Sequence, residues 1–423
     1  MAEEFARIQL HDFSGHPFQA DLSRELARRG FHVEHVFSDK YQSGKGRLTW
    51  EPGDPENLTF TQVKVDTEFD KYSPIGRVRF ELAYAKAWKQ QLKAAKPDLV
   101  VACNVPLLAL SSFRAWAARN RQPWILWHQD IFSTAMGDEL DRRFGGLISR
   151  LGRGYFTSRE RRVVASSSRV IAIGEEFRKQ YAEWGIEPSK INIISNWAPI
   201  DDIKPAERDN TWALDHLTDD SDLRMVYAGT LGRKHNPQLL LDLLDGLRKE
   251  TRDADLVVVS EGEGADDIGK AAAARKDTAI TVLPFQSAEA LPLVLGSGDV
   301  LVAILEPEAS RFSIPSKVLS YMSAGRPILG LMPADNPAAE DILAAGGFVA
   351  SPDAEGVRQS IEWLTSLVDE PELIEQIGRR ARLLAEEKFG VEPITDRFVA
   401  VIEEAMANSS RRIPKVDFAR LPA

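Results

Sequence analysis

The chain has 423 residues, more than one ordinary hydrophobic core accommodates, and 43% of them are hydrophobic, as in proteins with packed cores. Its formal net charge of −10 argues against a general nucleic-acid-binding protein, so no nucleic acid is expected as a partner. The single cysteine, Cys103, excludes an intrachain disulfide and a thiolate metal cluster, and its apolar neighbours predict a buried structural thiol. The first residues lack the pattern of a signal peptide and no apolar run is long enough to span a bilayer, so we expect a cytoplasmic protein.

Short apolar runs alternate with longer amphipathic ones along the chain, which is the pattern of parallel strands joined by crossover helices. In the first half, a strand at Arg7–Leu10 leads through a turn into a helix at Phe18–Arg29, with Gly30 as its C-terminal cap. Further strands are predicted at Val33–Phe37, Asp98–Ala102, Trp124–Trp127, Arg169–Ile173 and Ile191–Ile194. Residues 40–75 are polar and rich in turns, and they predict no clear element.

The stretch Ala198–Ser221 is rich in Pro, Asp and Asn, so we predict that it links two domains. A second α/β series follows it, and a long helical stretch, Pro371–Ala407, comes last. The strands of this series are predicted at Met225–Ala228, Leu256–Ser260, Thr281–Leu283, Val300–Leu305, Pro327–Leu331 and Phe348–Val349. We therefore predict an N-terminal domain over 1–200, a second domain over 201–385, and over 386–423 a helix that crosses back to the first domain, with a loose tail.

Two glycine-containing turns follow strands of the second series. In the first, Gly229 lets the backbone approach a bulky ligand, and Arg233 and Lys234 supply positive charge for a diphosphate. In the second, Gly262 and Gly264 allow close packing beside a ligand. Ordinary strand-to-helix turns with surface cations would explain the same residues.

The stretch Ile314–Ile328 is the most informative of these motifs. Pro315 suits the first turn of a helix, Ser316 can cap it, and Lys317 adds a cation at the same end. The helix is short and stops at Gly325, so its free N–H groups and the lysine would form an anion site. The alternative is a structural helix that begins with these residues by chance.

Together these motifs resemble the donor domain of family 4 glycosyltransferases, which have the GT-B fold of two Rossmann-like domains facing a cleft. Within that family the chain is similar to the bacterial colanic-acid and related exopolysaccharide glycosyltransferases. The residues that carry the resemblance are Ala228–Lys234, Gly262–Gly264, Ser297–Val300 and Pro315–Pro327, with Gln129–Asp130 and Ser195–Trp197 for the narrower match.

The resemblance implies retaining transfer of a hexose from a nucleotide diphosphate donor, a UDP- or GDP-sugar, with no covalent enzyme nucleophile and no required cofactor or metal. It places Lys234, helped by Arg233, on the diphosphate together with the backbone at Ser316 and Lys317, and it places Phe285 beside the base. The full donor-binding set that it implies is Gly229, Arg233, Lys234, Gly262, Phe285, Pro315, Ser316, Lys317, Val318 and Ser320.

One departure from the family pattern concerns the donor ribose. Many members carry two glutamates separated by seven residues, and the second glutamate binds the ribose. Phe312 and Ser320 occupy these two positions here, so the ribose contacts and the identity of the nucleotide stay open.

The first domain supplies candidates for the acceptor side. Gly15 and His16 follow the first strand, and His16 could bind phosphate or substrate, or be a turn histidine exposed to water. Asp130 and His128 end another strand, and the carboxyl ends of parallel strands are where ligands bind. Asp130 could orient or deprotonate the acceptor hydroxyl, and it is favoured over His128, which is shifted by one residue from the family position. The predicted catalytic residues are Asp130, His128 and Lys234.

Seven arginines and one acid lie between Arg142 and Arg162, interleaved with apolar residues. This local excess in an acidic chain predicts a face for an anionic membrane surface, so we expect peripheral attachment to the inner face of the plasma membrane. A solvated helix face is the alternative. The expected acceptor is a polysaccharide or a lipid-diphosphate-linked glycan of bacterial surface-glycan biosynthesis.

Two other functions fit the same fold. A nucleotide-sugar epimerase would bring carboxylates and histidines together at its site, and the sequence offers few candidates. A catalytically degenerate sugar-nucleotide-binding protein is the other, because both glutamates of the family pattern are absent.

Overall fold

A computed structural model describes residues 6–40, 47–66, 74–143, 146–217, 221–231, 235–250, 253–307 and 317–408, without the side chains at 74, 75, 135, 138, 139, 141–143, 147 and 148. The chain divides into two compact units. Unit 1 contains the chain up to Ser195 and from Glu392 onward, and unit 2 is Asn196–Val391. Each unit contains one parallel α/β sheet, so the prediction of two Rossmann-like domains, with the last helix joining the first, is confirmed.

Unit 1 alternates strands and helices. Its elements before the domain crossing are β1 Arg7–Asp12, α1 Pro17–Arg28, β2 His32–Ser38, β3 Leu58–Val63, α2 Pro74–Ala95, β4 Leu99–Cys103, α3 Leu107–Asn120, β5 Trp124–His128, α4 Phe132–Arg143, α5 Gly146–Ser166, β6 Arg169–Ala172, α6 Glu176–Glu183, a 3-10 turn Pro188–Lys190 and β7 Ile191–Ile193.

The strand order of the unit 1 sheet is β3-β2-β1-β4-β5-β6-β7, and neighbouring strands are parallel. From β1 the chain first adds strands on one side of the sheet and then, from β4 onward, on the other side, so the strand order reverses between β1 and β4. The central strands β4 and β5 are buried along their whole length because helices cover both faces, which explains their continuous apolar runs. The edge strand β3 was not predicted, because it lies in a polar segment and only its two end residues are buried.

Two buried histidines lie in the core of unit 1. His11 Nε2 is 2.8 Å from Tyr84 Oη, and its ring packs 4.0 Å from the Trp88 ring, centroid to centroid. His35 Nδ1 is 2.8 Å from Ser23 Oγ. Burial is the main reason that the pKa of each histidine is lowered to about 3, so both rings are neutral in the folded protein at pH 7.

Unit 2 repeats the α/β alternation. Its elements are α7 Thr211–His216, β8 Leu223–Ala228, α8 Gln238–Lys249, β9 Ala254–Val259, α9 Glu263–Arg275, β10 Ile280–Leu283, α10 Leu291–Gly296, β11 Val300–Ile304, α11 Lys317–Ser323, β12 Ile328–Leu331, α12 Pro337–Ala344, β13 Phe348–Ala350, α13 Ala354–Asp369 and α14 Glu372–Phe389.

The parallel sheet of unit 2 has the order β10-β9-β8-β11-β12-β13, and the chain direction reverses between β8 and β11. Side chains of β8 alternate between the two apolar clusters on the two faces of the sheet. Met225 and Tyr227 point into one cluster, while Val226 and Ala228 point into the other. This alternation determines which face of the sheet each side chain at the carboxyl end of β8 points to.

The predicted linker Ala198–Ser221 is packed rather than extended, so that interpretation is wrong for most of its length. It contains α7, whose first turn is capped by the Asn210 side chain, and Trp212 is buried in the core of unit 2. Its Pro, Asp and Asn residues reflect capping and turns instead of an open connection.

The predicted helical stretch Pro371–Ala407 is broken at Gly390, which has an extended backbone. The helix after the break, α15 Val391–Ala407, belongs to unit 1 almost entirely. There the Phe398 ring lies 4.8 Å from the Trp127 ring, centroid to centroid, and Asp396 forms an ion pair of 2.9 Å with Arg29. The final helix therefore contributes core side chains to the first domain.

We predict that unit 1 loses stability in acid because of His11 and His35, whose side chains are fully buried. Their pKa is about 3 when folded against 6.5 when unfolded, so the unfolded chain binds protons first as the pH falls below 6.5. Each histidine should lower the free energy of unfolding by about 1.4 kcal/mol per pH unit between about pH 6 and about pH 4. Calorimetric unfolding over this range should show a shallower slope for His35→Gln, and the exposed His32→Gln is the matched control. Equal slopes for the two variants would contradict the prediction.

Candidate functional site

In unit 1, a cavity of about 270 Å³ lies at the carboxyl ends of β1, β4 and β5. It is the place where the sheet order reverses, which is the common ligand position in open parallel sheets. The predicted residues His16, His128 and Asp130 all line it. The cavity therefore brings together side chains that are distant in sequence.

The turn after β1 is held by the buried carboxylate of Asp12. The backbone N–H groups of Ser14 and His16 donate to it over 3.3 and 2.5 Å, and Asn104 Nδ2 donates over 2.9 Å. Burial raises the pKa of Asp12, against these hydrogen bonds. Gly15 has φ +74°, and a Cβ there would come within 2.6 Å of Leu48, so this predicted acceptor-side glycine is needed by the turn itself.

His128 is the last residue of β5 and Asp130 follows it closely, but the two side chains have different surroundings. His128 is buried, with Nδ1 2.8 Å from Tyr181 Oη and Nε2 3.2 Å from Glu160 Oε1. Both of its ring nitrogens are thus engaged within the protein. Asp130 is exposed at the cavity, so its carboxylate can meet a ligand from solvent.

Glu160 was not predicted as a site residue, yet it organises this wall of the cavity. Its carboxylate accepts hydrogen bonds from the backbone N–H groups of Phe132 (2.7 Å) and Ser133 (2.8 Å) at the start of α4. Burial opposes its ionisation, but the contacts with His128 and Ser133 prevail and lower the pKa of Glu160.

Asn104, Arg77 and Glu81 also line the cavity, and the sequence analysis predicted none of them. Asn104 follows β4 with φ +54°, a conformation that asparagine tolerates better than most residues. Arg77 Nε donates to Glu81 Oε1 over 3.1 Å, and its guanidinium lies 5.6 Å from the centroid of the Phe132 ring. A polar residue directly after an apolar strand was the available signal for Asn104, whereas nothing in the local pattern of α2 singled out Arg77.

In unit 2, Lys317 lies over the end of β8. Its Nζ is 2.5 Å from Tyr227 Oη and 3.8 Å from the centroid of the Tyr227 ring. Gly229 has φ +129°, and a Cβ on it would come within 3.3 Å of Lys317 Cε. The structure thus brings together the glycine and the lysine that the sequence placed 88 positions apart.

Burial lowers the pKa of Lys317 to about 7 and raises that of Tyr227 above its ordinary value. The cation is therefore held in a site that disfavours charge, where an anion would be a strong partner. Tyr321 holds α11 against the end of β8, because its Oη lies 3.0 Å from both the backbone N and the backbone O of Ala228. Val318 is buried in the core and Ser320 is partly buried on the same helix.

The other described residues that the sequence predicts for donor binding follow neighbouring strands of the same sheet. Gly262 has φ +105° and precedes α9, whose Gly264 leaves room for the carbonyl oxygen of Leu231, 2.6 Å from where a Cβ would be. Phe285 follows β10 and is 47% exposed. Four predicted residues, and Phe312 of the family pattern, lie outside the described residues: Arg233, Lys234, Pro315 and Ser316.

Some motif residues turn out to be structural. Asp299 accepts from the backbone N–H of Arg224 over 2.8 Å and from Arg208 Nε over 3.1 Å. Arg326 donates to the carbonyl oxygens of Ala206 and Gly296. These contacts hold the Ser297–Val300 and Gly325–Pro327 segments against the start of unit 2. Of the motif residues discussed here, Gly229 and Lys317 are the ones that lie together at the end of β8.

Two features of the described chain bear on metals and membranes. No three His, Cys, Asp or Glu side chains among the described residues come together as a metal site. Every helix in the described part of the chain is too short or too polar to cross a bilayer.

Two family models match the chain: a Glycosyl transferase 4-like domain over residues 16–197 and Glycosyl transferases group 1 over residues 222–366. A putative colanic acid biosynthesis glycosyl transferase of Escherichia coli is 24% identical over 237 residues. The aligned region is 54% of this chain and 56% of that protein, so the match spans little more than half of the relative.

Two solved structures share the fold. Sucrose-phosphate synthase from Thermosynechococcus elongatus has a TM-score of 0.70 and 14% identity, covering 96% of this chain and 100% of that one. HepE of Anabaena, in complex with UDP and glucose, has a TM-score of 0.67 and 14% identity, covering 94% of this chain and 100% of that one. At this identity the likeness shows the fold alone.

We predict that diphosphate binding to unit 2 weakens as Lys317 loses its proton. Because its pKa is about 7, the affinity for inorganic pyrophosphate should fall above pH 7, at most about tenfold per pH unit. Calorimetric titration of wild type and Lys317→Arg separates this effect from the ligand's own ionisation, which both proteins experience. Identical pH profiles would exclude Lys317 as the titrating group.

Proposed function

Because both family matches make this chain a glycosyltransferase of the two-domain GT-B type, as its sequence predicted, we propose that it transfers a sugar from a nucleotide diphosphate donor to a glycan acceptor with retention of configuration. The observation that carries the proposal is Lys317, a partly buried cation held over Gly229 at the end of β8. This is the edge of the unit 2 sheet where the strand order reverses.

The proposed donor lies along the strand ends of unit 2. Lys317 contacts the diphosphate, the glycine backbones at 229 and 262 allow close approach, and Phe285 lies beside the base. Arg233, Lys234, Pro315 and Ser316 complete the phosphate site as the sequence predicts, together with Val318 and Ser320 of the same helix. A UDP-sugar is the first donor to test because HepE binds UDP, and a GDP-sugar is the second.

The proposed chemistry is electrostatic. The bond between the anomeric carbon and the diphosphate oxygen breaks with its electron pair going to the diphosphate, and the lysine cations stabilise that growing charge. The acceptor hydroxyl oxygen bonds to the anomeric carbon on the same face of the sugar and gives up its proton. Asp130 orients or deprotonates this hydroxyl, with no covalent enzyme nucleophile and no required metal.

We place the acceptor against the cavity of unit 1, near Gly15, His16 and Asp130. The similarity to the colanic acid transferase supports a polysaccharide or lipid-diphosphate-linked acceptor in bacterial surface-glycan synthesis. We further propose a cytoplasmic enzyme attached peripherally to the membrane through the Arg142–Arg162 region, whose excess of arginines suits an anionic lipid surface. Of that region the structure describes the side chains of Arg150 and of the arginines that follow it on α5.

Nucleotide-sugar epimerisation and donor binding without transfer are the alternatives. An epimerase would convert the free donor without an acceptor, and a degenerate binding protein would bind the nucleotide without turnover. Thermal shift with UDP, GDP, ADP and dTDP, followed by product analysis with the matching sugar donors, separates the three. A ligand at 100 times its Kd should stabilise the protein by about 2.7 kcal/mol. No shift with any nucleoside diphosphate would refute the donor site.

We predict that Lys317→Met lowers kcat by on the order of 100-fold, about 3 kcal/mol of transition-state stabilisation, because one preorganised cation is lost. The matched control is Lys270→Met, an exposed lysine on α9 that pairs with Asp267. Initial rates of sugar transfer at saturating donor measure the effect. Full activity in Lys317→Met would remove this residue from the mechanism.

We predict opposite consequences for the two candidates after β5. Asp130→Asn should lower kcat by about 100-fold and leave stability unchanged, because the side chain is exposed at the cavity. His128→Gln should reduce the free energy of unfolding by about 1–3 kcal/mol, because it removes the imidazole that contacts both Tyr181 Oη and the buried carboxylate of Glu160. Urea unfolding together with transfer rates tests both, and the reverse assignment of effects would make His128 the catalytic group.

A further inference from the structure

The short segment that connects β5 to α4 is attached on both sides to one side chain, Glu160 of α5. On the β5 side, Glu160 Oε1 lies 3.2 Å from Nε2 of His128, the last residue of the strand. On the α4 side, Oε1 accepts from the backbone N–H of Phe132 over 2.7 Å, and Oε2 accepts from that of Ser133 over 2.8 Å. A single carboxylate therefore contacts both flanks of the segment that carries Asp130.

Glu160 is itself held in place by burial and by the packing of its partners. It is 3% exposed. His128 Nδ1 is 2.8 Å from Tyr181 Oη, and the two rings are nearly parallel, with 16° between their planes. Burial opposes the ionisation of Glu160, but its contacts with His128 and Ser133 lower its pKa, so it is a carboxylate anion at pH 7. These contacts link β5, α4, α5 and α6 around one buried charge.

The position of Asp130 depends on this segment. Its side chain is exposed at the cavity, whereas the side chain of its neighbour Ile131 is buried in unit 1. The carbonyl oxygen of Ile131 accepts from the backbone N–H of Thr134 over 3.2 Å. Because an exposed side chain is not fixed by packing around it, the position of the Asp130 carboxylate follows the backbone of the segment.

We propose that Glu160 is a positioning residue of the transfer reaction, which holds both flanks of the segment so that the Asp130 carboxylate meets the acceptor hydroxyl. The inference rests on the proposed function, in which Asp130 orients or deprotonates that hydroxyl. A reacting group that is misplaced by about 1 Å can lose on the order of 100-fold in rate. A buried carboxylate can therefore affect turnover through the group that it positions, without contacting the substrate itself.

The competing role for Glu160 is to orient His128, because a carboxylate that contacts a histidine ring fixes the orientation of that ring. The geometry favours Asp130, since two of the three contacts are with backbone N–H groups of α4, which do not orient the His128 ring. Both ring nitrogens of His128 are also engaged within the protein. The two roles predict different results in a variant that lacks the Asp130 carboxylate.

The test is Glu160→Gln, which keeps the size of the side chain and replaces one carboxylate oxygen by an NH2 group. Since that group cannot accept a hydrogen bond, the contact with Phe132 or with Ser133 is lost. Amide hydrogen exchange over residues 129–133 should become faster. The kcat of sugar transfer should fall by on the order of tenfold, with the KM for the donor unchanged. Glu160→Asp keeps the charge but shortens the side chain, so it should change exchange and kcat in the same direction and replaces Glu160→Gln if that variant does not fold.

The decisive comparison combines Glu160→Gln with Asp130→Asn. If Glu160 acts through Asp130, the double variant should have the same kcat as Asp130→Asn alone, because no carboxylate remains to be positioned. A further loss of about tenfold in the double variant would mean that Glu160 acts elsewhere, for example through His128, and would overturn the inference. Exchange over 129–133 that stays as slow as in wild type, or a normal kcat in Glu160→Gln, would overturn it as well.

The matched control is Glu25→Gln, the same substitution at another buried glutamate of unit 1. Glu25 is 8% exposed and pairs with Arg29 over 2.7 Å, in the last turn of α1 before the amino end of β2. This variant should lose stability in urea unfolding without a change in kcat or in the exchange over 129–133. If wild type transfers no sugar from any nucleotide donor, the proposed function fails, whereas the exchange experiment still decides whether Glu160 holds the segment.

Discussion

Parallel pairing of the strands is the constraint on which both halves of the molecule depend. Parallel strands joined by crossover helices place all carboxyl ends on one edge of the sheet, so the residues that follow β1, β4 and β5 must meet there. The same holds for β8 and β9 in unit 2. Asp130 reaches its cavity and Gly229 reaches Lys317 for this single topological reason. The helices that cover both faces of each sheet then determine which polar groups are buried away from solvent.

Burial sorts the polar residues into two roles. Asp12, Glu160 and Asp299 are buried and surrounded by donors, and each fixes a loop against a strand. Such paired groups add rigidity, and their hydrogen-bonding capacity is used within the protein. Asp130 is exposed, and Lys317 lies between the two cases, because it is partly buried and has a hydroxyl as its described partner. A group of intermediate burial is held in place by its protein neighbours and can still contact a ligand.

The sequence predicted the strands and the two-domain order because those signals are local. Apolar runs and the glycines that end helices can be recognised within a few residues. The failures have the opposite origin: β3 lies in a polar segment, Trp212 anchors a stretch whose composition suggested a linker, and Gly390 breaks a helix that a periodic pattern continues through. In the site, Gly229 and Lys317 could be predicted singly, but the contact of Lys317 with Tyr227 depends on tertiary packing.

The helix break at Gly390 has a consequence for how the protein can be divided. Unit 1 is not one continuous piece of chain, since α15 returns to it after the whole of unit 2 has been traversed. A fragment that stops at Ser195 would lack Phe398 and would leave Trp127 uncovered. Exchanging unit 2 between proteins of this architecture therefore requires two junctions, and the final helix must stay with unit 1, to which its apolar side belongs.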